Sequence, residues 1–144
     1  MKPRHFLGQL DRQRIETAIH QAELVTSGEI RVVVTRRRVE DAVAAARAEF
    51  ARLRLHQTRQ RNAILLFVAP ASQAFAVIGD EGVHTKCGDT FWSEVASAMQ
   101  GHFRAGQHTA ALIEGIERAG RLLGEHFPRQ PDDVDELPNQ VVED

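Results

Sequence analysis

An α/β/α sandwich around a small mixed β-sheet is the fold class this sequence predicts, and three observations carry the prediction. Residues 29–35, 63–69 and 74–79 are short and rich in β-branched or aliphatic residues, as strands are; four longer segments repeat apolar residues at three- and four-residue spacing, as helices do. The order is helix, strand, helix, strand, strand, helix, helix, so the helices have a sheet to cover on both faces. With 144 residues, 42% hydrophobic and 26% charged, the chain has the size and balance of one globular domain. Disulfide scaffolds, collagen-like chains, tandem repeats and fully disordered chains are thereby excluded.

The first helix is expected over residues 9–26, where Ile15, Ala18, Ile19, Ala22 and Val25 form one apolar stripe that Ser27-Gly28 ends. Ile30, Val32 and Val34 alternate with Arg31 and Thr35 in the first strand, which Arg36, Arg37 and Arg38 close. An Ala-rich helix follows over residues 39–53, with Val39, Ala42, Val43, Ala46, Phe50 and Leu53 on one side. Ala63-Ile64-Leu65-Leu66-Phe67-Val68-Ala69 is apolar without alternation, the pattern of a central strand covered on both faces. A right-handed crossover makes the first two strands parallel. The short turn Pro70-Ala71-Ser72-Gln73 makes the third strand antiparallel to the second. Residues 79–88 read as a Gly-containing loop, and two helices follow over residues 90–104 and 107–125. Gly115, Gly120 and Gly124 are poor helix residues, and their presence in the last helix predicts close packing against a neighbour.

From Phe127 the composition changes. Pro128, Pro131 and Pro138 interrupt a segment carrying Asp132, Asp133, Asp135, Glu136, Glu143 and Asp144, so the expected organisation is one domain over residues 1–128 and a flexible acidic tail over residues 129–144. The net charge of -2 conceals an asymmetry: residues 1–61 hold 13 Lys and Arg against 7 Asp and Glu, and residues 62–144 hold 5 against 13. The Arg36–Arg38 run, with Arg47, Arg52 and Arg54, reads as a solvated face or a dock for the acidic tail. No aromatic stacking motif accompanies it, and no nucleic-acid partner is expected. No apolar run is long enough to span a membrane, and the N-terminus leads into no apolar signal core, so direct membrane insertion is not expected and a cytoplasmic location is.

Strand direction locates a candidate site. The starts of the first two strands and the end of the third share one edge of the sheet, which gathers Glu29, Asn62 and Asp80; the following loop adds Glu81 and Asp89, with Arg59 and Arg61 close by. Oxygen donors of this kind suit a hard cation, Ca²⁺ or Mg²⁺, and a nearby arginine suits a phosphate group. Each residue also has a plainer reading: Asp89 as a helix cap, Glu29 as a solvated strand end, Asp80 as a turn residue. Cys87 lacks the arginine six positions on that a cysteine phosphatase needs, position 93 being Ser93, and reads as a partly buried thiol. His84 with Cys87, and His102 with His108, lack the further ligands zinc takes. No Ser-His-Asp order, Walker loop or dinucleotide fingerprint is present.

Four segments in order, Ala22-Glu23-Leu24-Val25-Thr26-Ser27-Gly28-Glu29-Ile30, Arg61-Asn62-Ala63-Ile64-Leu65-Leu66, Val77-Ile78-Gly79-Asp80-Glu81-Gly82-Val83 and Phe103-Arg104-Ala105-Gly106, resemble the TPM domain family over roughly residues 9–128. The family takes its name from thylakoid-lumen, photosystem-repair and receptor-modulator members. Asp89-Thr90-Phe91-Trp92, Glu125-His126-Phe127-Pro128 and Asp135-Glu136-Leu137-Pro138 resemble a short bacterial subgroup of it. The resemblance implies an α/β/α sandwich. For function it implies acid phosphatase activity, as in some plant members, Ca²⁺ binding at an acidic cleft, as in some bacterial members, or the role of a membrane-associated accessory domain. Carried over by position, Asp80 and Asp89 match the family's acidic cleft best, then Glu29 and Asn62, although the long stretch from Gly82 to Gly88 departs from the usual pattern. The short subgroup is similar to proteins found beside LemA-type membrane proteins, which makes such a protein the implied partner. Two functions therefore stand as expectations: a divalent-cation cleft with weak phosphatase activity, and a non-catalytic interaction module working with a membrane-associated partner.

Overall fold

The structure is a computed structural model and describes residues 2–88, 90–129 and 141–143. Along the chain they form α1 (Pro3–Gln9), α2 (Arg12–Glu23), β1 (Glu29–Val34), α3 (Ala42–Arg52), β2 (Ala63–Ala69), β3 (Ala74–Gly79), α4 (Glu81–Cys87), α5 (Phe91–Arg104), α6 (His108–His126) and β4 (Val141–Glu143). The strand order is β3-β2-β1-β4. β1 runs parallel to β2 and to β4, whereas β2 and β3 are antiparallel. This is the mixed sheet the sequence predicts, with β4 added at the free edge of β1.

All seven residues of β2 are buried, as its unbroken apolar sequence requires of a central strand. Alternation then divides the core into two layers. Ile30, Val32, Ile64, Leu66 and Val77 pack with Ile15 and Ile19 of α2, Val95 and Met99 of α5, and Leu112 and Ile116 of α6. Val33, Leu65, Phe67 and Ala76 pack on the other face with Ala46 and Phe50 of α3 and with Leu55. Helices therefore cover both faces, the α/β/α sandwich. The glycines of α6 mark where it is pressed hardest. A Cβ at Gly115 would come within 2.6 Å of Met99 Sδ and one at Gly120 within 2.6 Å of Ala22 Cβ, whereas Gly124 makes only ordinary contact with Val25. Among the described residues no helix is long and apolar enough to cross a membrane.

The structure corrects the element boundaries in four places. A helix not expected from the sequence, α1, opens at Pro3 and seats Phe6, and the helix expected over residues 9–26 is the shorter α2, which begins only where the Asp11 side chain accepts a hydrogen bond from the Arg14 N–H and caps it. The helix predicted over residues 39–53 starts later for the same reason, since Asp41 accepts from the Val43 and Ala44 N–H groups. Residues 79–88 are not a loop but mostly helix α4, whose single buried residue, Val83, leaves no apolar period to read. Gly88, at φ 82°, ends it in the left-handed region that favours glycine. Finally, Val141–Glu143 of the acidic C-terminal segment form β4, in register with Val32, Val33 and Val34.

Candidate functional site

The edge of the sheet gathers most of the predicted residues. Glu29 pairs with Ala63 in register, and the Asp80 N–H donates to the Ala63 carbonyl oxygen at 2.9 Å, so Glu29, Ala63 and Asp80 form one row with Asn62 beside it. Glu29, Asn62 and Asp80 are only 3%, 1% and 6% exposed. Glu29 is therefore not the solvated strand end of the plainer reading, while Asp80 does stand at the turn from β3 into α4, but buried. Burial of this kind needs compensation, and each group has some.

Asp80 is compensated by arginine. Arg61 Nε donates to Asp80 Oδ2 at 2.7 Å and its Nη2 to Oδ1 at 2.8 Å, a two-point charge-assisted contact. Asp80 Oδ1 also accepts from the Glu81 N–H at 2.8 Å and so caps α4. The hydrogen bonds to Asp80, then its charge, hold the Arg61 guanidinium above its ordinary pKa. The same guanidinium lies 3.6 Å from the exposed Glu81 carboxylate. On β1, burial is the main force drawing the Arg31 guanidinium below its ordinary pKa and the charge of Arg52 the second, while the charges of Glu23 and Glu29 oppose them. The carboxylates of this edge thus have guanidinium groups of the chain itself as counter-charges.

Around Asn62 lies a polar network that sequence reasoning missed. The Asn62 N–H donates to Thr58 Oγ1 at 3.1 Å, its Nδ2 donates to Ser27 Oγ at 3.2 Å, and Gln60 Nε2 donates to the same Ser27 oxygen at 3.2 Å. Ser27 and Thr58 carry no spacing signal, because their roles depend on two loops meeting. Gly82 is the fitted piece. A Cβ there would lie 2.2 Å from the Gln60 carbonyl oxygen, so only glycine lets α4 approach the 60–61 backbone and donate from its N–H to the Arg61 oxygen at 2.9 Å.

Among the described residues, the predicted ligands are not arranged as an open cation site. Both Asp80 oxygens are engaged by Arg61, Glu81 faces solvent, and among the described residues no group of three or more His, Cys, Asp or Glu side chains is placed to hold a metal. Asp89, the remaining predicted ligand, lies outside the described residues, and Arg59 is exposed on the loop before β2. Cys87 is not poised as a nucleophile either. Burial, then the charge of Glu125, pushes the half-buried Cys87 thiol above its usual pKa and disfavours the thiolate, while His84 Nδ1 accepts from the Trp92 indole N–H at 3.1 Å. Of the arginine run, Arg36 pairs with Glu143 at 3.1 Å and Arg37 with the buried Glu49 at 3.4 Å; Glu143 also contacts Arg12. The C-terminal segment does meet the arginine face at this point.

This geometry can be set beside known proteins. The solved structures include an NMR structure of BA42 protein from the psychrophilic bacterium Bizionia argentinensis, similar to this chain at 35% identity and a TM-score of 0.86 over 94% of this chain and 96% of that one. No curated protein matches. The family model described as TPM domain matches residues 1–122, which takes in the sheet edge, its Arg61–Asp80 pair and the helices on both faces. On fold and sequence alike, the chain belongs to the TPM domain family.

Proposed function

We propose that this chain is a non-catalytic interaction domain of the TPM family, working with a membrane-associated protein partner. The observation that carries the reading is the two-point contact of Arg61 with Asp80. The best-matched acidic residue of the edge already has its counter-ion, built in and held by two short hydrogen bonds, and the contact ties the entry of β2 to the start of α4. An edge organised in this way keeps its shape for recognition. Leu24 and Val25, about half exposed and next to Ser27, give that end of the molecule an apolar spot for a protein partner. The membrane-associated character of the partner comes from the resemblance to the short bacterial subgroup.

A second reading, a Ca²⁺ or Mg²⁺ cleft supporting slow phosphomonoester hydrolysis, has one observation in its favour: Glu29, Asn62 and Asp80 stand buried in one row. A cation would have to displace the Arg61 guanidinium from Asp80. The discriminating experiment is p-nitrophenyl phosphate turnover with and without Ca²⁺ or Mg²⁺, alongside an amide-shift titration of wild type and Arg61→Gln. An interaction domain gives no metal-dependent turnover and no saturable shifts in wild type, while Arg61→Gln, with Asp80 released, gains cation-dependent shifts at residues 79–82. Metal-dependent hydrolysis by wild type that Asp80→Asn abolishes would overturn the non-catalytic reading.

A further inference from the structure

The other end of β2 and β3 carries a feature with different chemistry. Phe6 of α1, Phe75 of β3, Phe103 of α5 and His108 of α6 come together there from four elements: the Phe75 and Phe103 ring centroids lie 5.0 Å apart, those of Phe6 and His108 4.6 Å and those of Phe6 and Phe103 6.4 Å. With Val68, Pro70 and Ala74 these rings wall a cavity of about 590 Å³. Sites for small molecules run from about 300 to 1,000 Å³ and are mostly apolar, with a few placed polar groups. The polar groups here are Gln73, Gln100, Arg104 and His108, and among the described residues no Asp or Glu lines the cavity.

Two further observations give the cavity a charge preference. Arg104 is exposed at the mouth and has no carboxylate partner among the described residues. Beside it α6, 19 residues long, starts without a side-chain cap: its N-cap residue, Gln107, instead bonds through Oε1 to His102 Nδ1 at 3.1 Å. The first-turn N–H groups of a long helix carry partial positive charge, so the helix and Arg104 favour an anion at the same mouth. Both ring nitrogens of His108 are buried with no hydrogen-bond partner, which marks the polar accounting of this site as incomplete. Gln73, a non-glycine residue at φ 50°, holds the rim in a conformation that costs energy.

From these features we infer that this cavity is a binding site for a small aromatic carboxylate, its ring system packed against Phe75 and Phe103 where they line the cavity and its carboxylate at Arg104 and the start of α6. A wall of aromatic rings selects a flat π-system, and an arginine with no carboxylate partner among the described residues selects a single negative charge. The site is separate from the edge that holds Asp80, and the inference stands whichever reading of that edge is right.

The experiment is titration of the full chain with 2-naphthoate, followed by amide shifts and calorimetry. 2-Naphthalenemethanol serves as the neutral comparison and decanoate as the aliphatic one. Saturable shifts confined to residues 73–75 and 100–109 are expected, with both comparison compounds weaker. Arg104→Gln, an exposed change, is expected to weaken 2-naphthoate about tenfold, as loss of one charge-assisted contact does, and to leave the alcohol unaffected. Gln100→Trp, which fills the mouth from the exposed side of α5, abolishes binding while leaving the remaining amide spectrum in place. Absence of saturable shifts at millimolar 2-naphthoate would overturn the inference. So would binding unchanged in Arg104→Gln, equal affinity for the alcohol, or tighter binding of decanoate.

Discussion

Replacing Gly82 by alanine tests the account of the sheet edge at its tightest point. The added methyl would lie 2.2 Å from the Gln60 carbonyl oxygen and 2.7 Å from that of Arg61, and both are backbone atoms that cannot rotate away. Helix α4 must therefore retreat, which stretches the 2.9 Å bond from Gly82 N–H to Arg61 and pulls Asp80 from its two-point contact. Overpacking of this kind costs about 1–3 kcal/mol and a weakened hydrogen bond about 1, while alanine regains up to about 1 over glycine in a helix. The net expectation is a loss of about 2 kcal/mol, or roughly 6–10 °C in Tm for a domain of this size. Urea unfolding followed by Trp92 fluorescence reads it directly, because Trp92 packs on Gly79 and is hydrogen-bonded to His84 of α4. Gly101→Ala is the control: nothing lies within 4 Å of its Cβ position on the exposed side of α5, so the same substitution there stabilises by up to about 1 kcal/mol. Equal effects at the two positions, or a stabilised Gly82→Ala, would refute the close-approach argument.

Acid should act through His108. Burial, and secondarily the charge of His5, lowers its pKa below the ordinary 6.5, so the unfolded chain binds the proton more readily; stability is full above that value and falls as pH drops through the folded pKa. His108→Phe should flatten the urea midpoint between pH 7.5 and 5 relative to wild type, and an unchanged slope would count against it. Glu143→Gln should leave global stability within about 1 kcal/mol, because exposed ion pairs contribute little. The same change should speed amide exchange of Val141–Glu143 by releasing Arg12 and Arg36; unaltered exchange would show that strand pairing and the packing of Val141 and Val142 hold β4 without the ion pairs.

How much of this was readable in the sequence varies from residue to residue. The unbroken run from Ala63 to Ala69 announced a central strand, and the placement of Glu29, Asn62 and Asp80 at one edge followed from strand direction alone. The helix α4 was hidden because one buried valine among polar residues and flanking glycines has no period to detect. The strand β4 was hidden because three residues after an acidic, proline-containing stretch look like tail. Arg61 was named as a neighbour of the carboxylates, but its two-point contact with Asp80 depends on the left-handed turn at φ 53° that brings its side chain round. The cavity of Phe6, Phe75, Phe103 and His108 was invisible for a different reason: its rings lie far apart along the chain, and only packing assembles them.

The hairpin of β2 and β3 runs from one of these regions to the other, with Phe75 at one end and Asp80 just beyond the opposite end. Its two faces are committed, Phe75 and Val77 to one core layer and Ala76 and Ile78 to the other. A slip of a single residue would exchange those faces, so the strand cannot slide to carry a signal. The hairpin thus joins the aromatic end and the acidic end as a strut of fixed register. A ligand seated against Phe75 and Phe103 therefore leaves the contact between Arg61 and Asp80 in place at the far end.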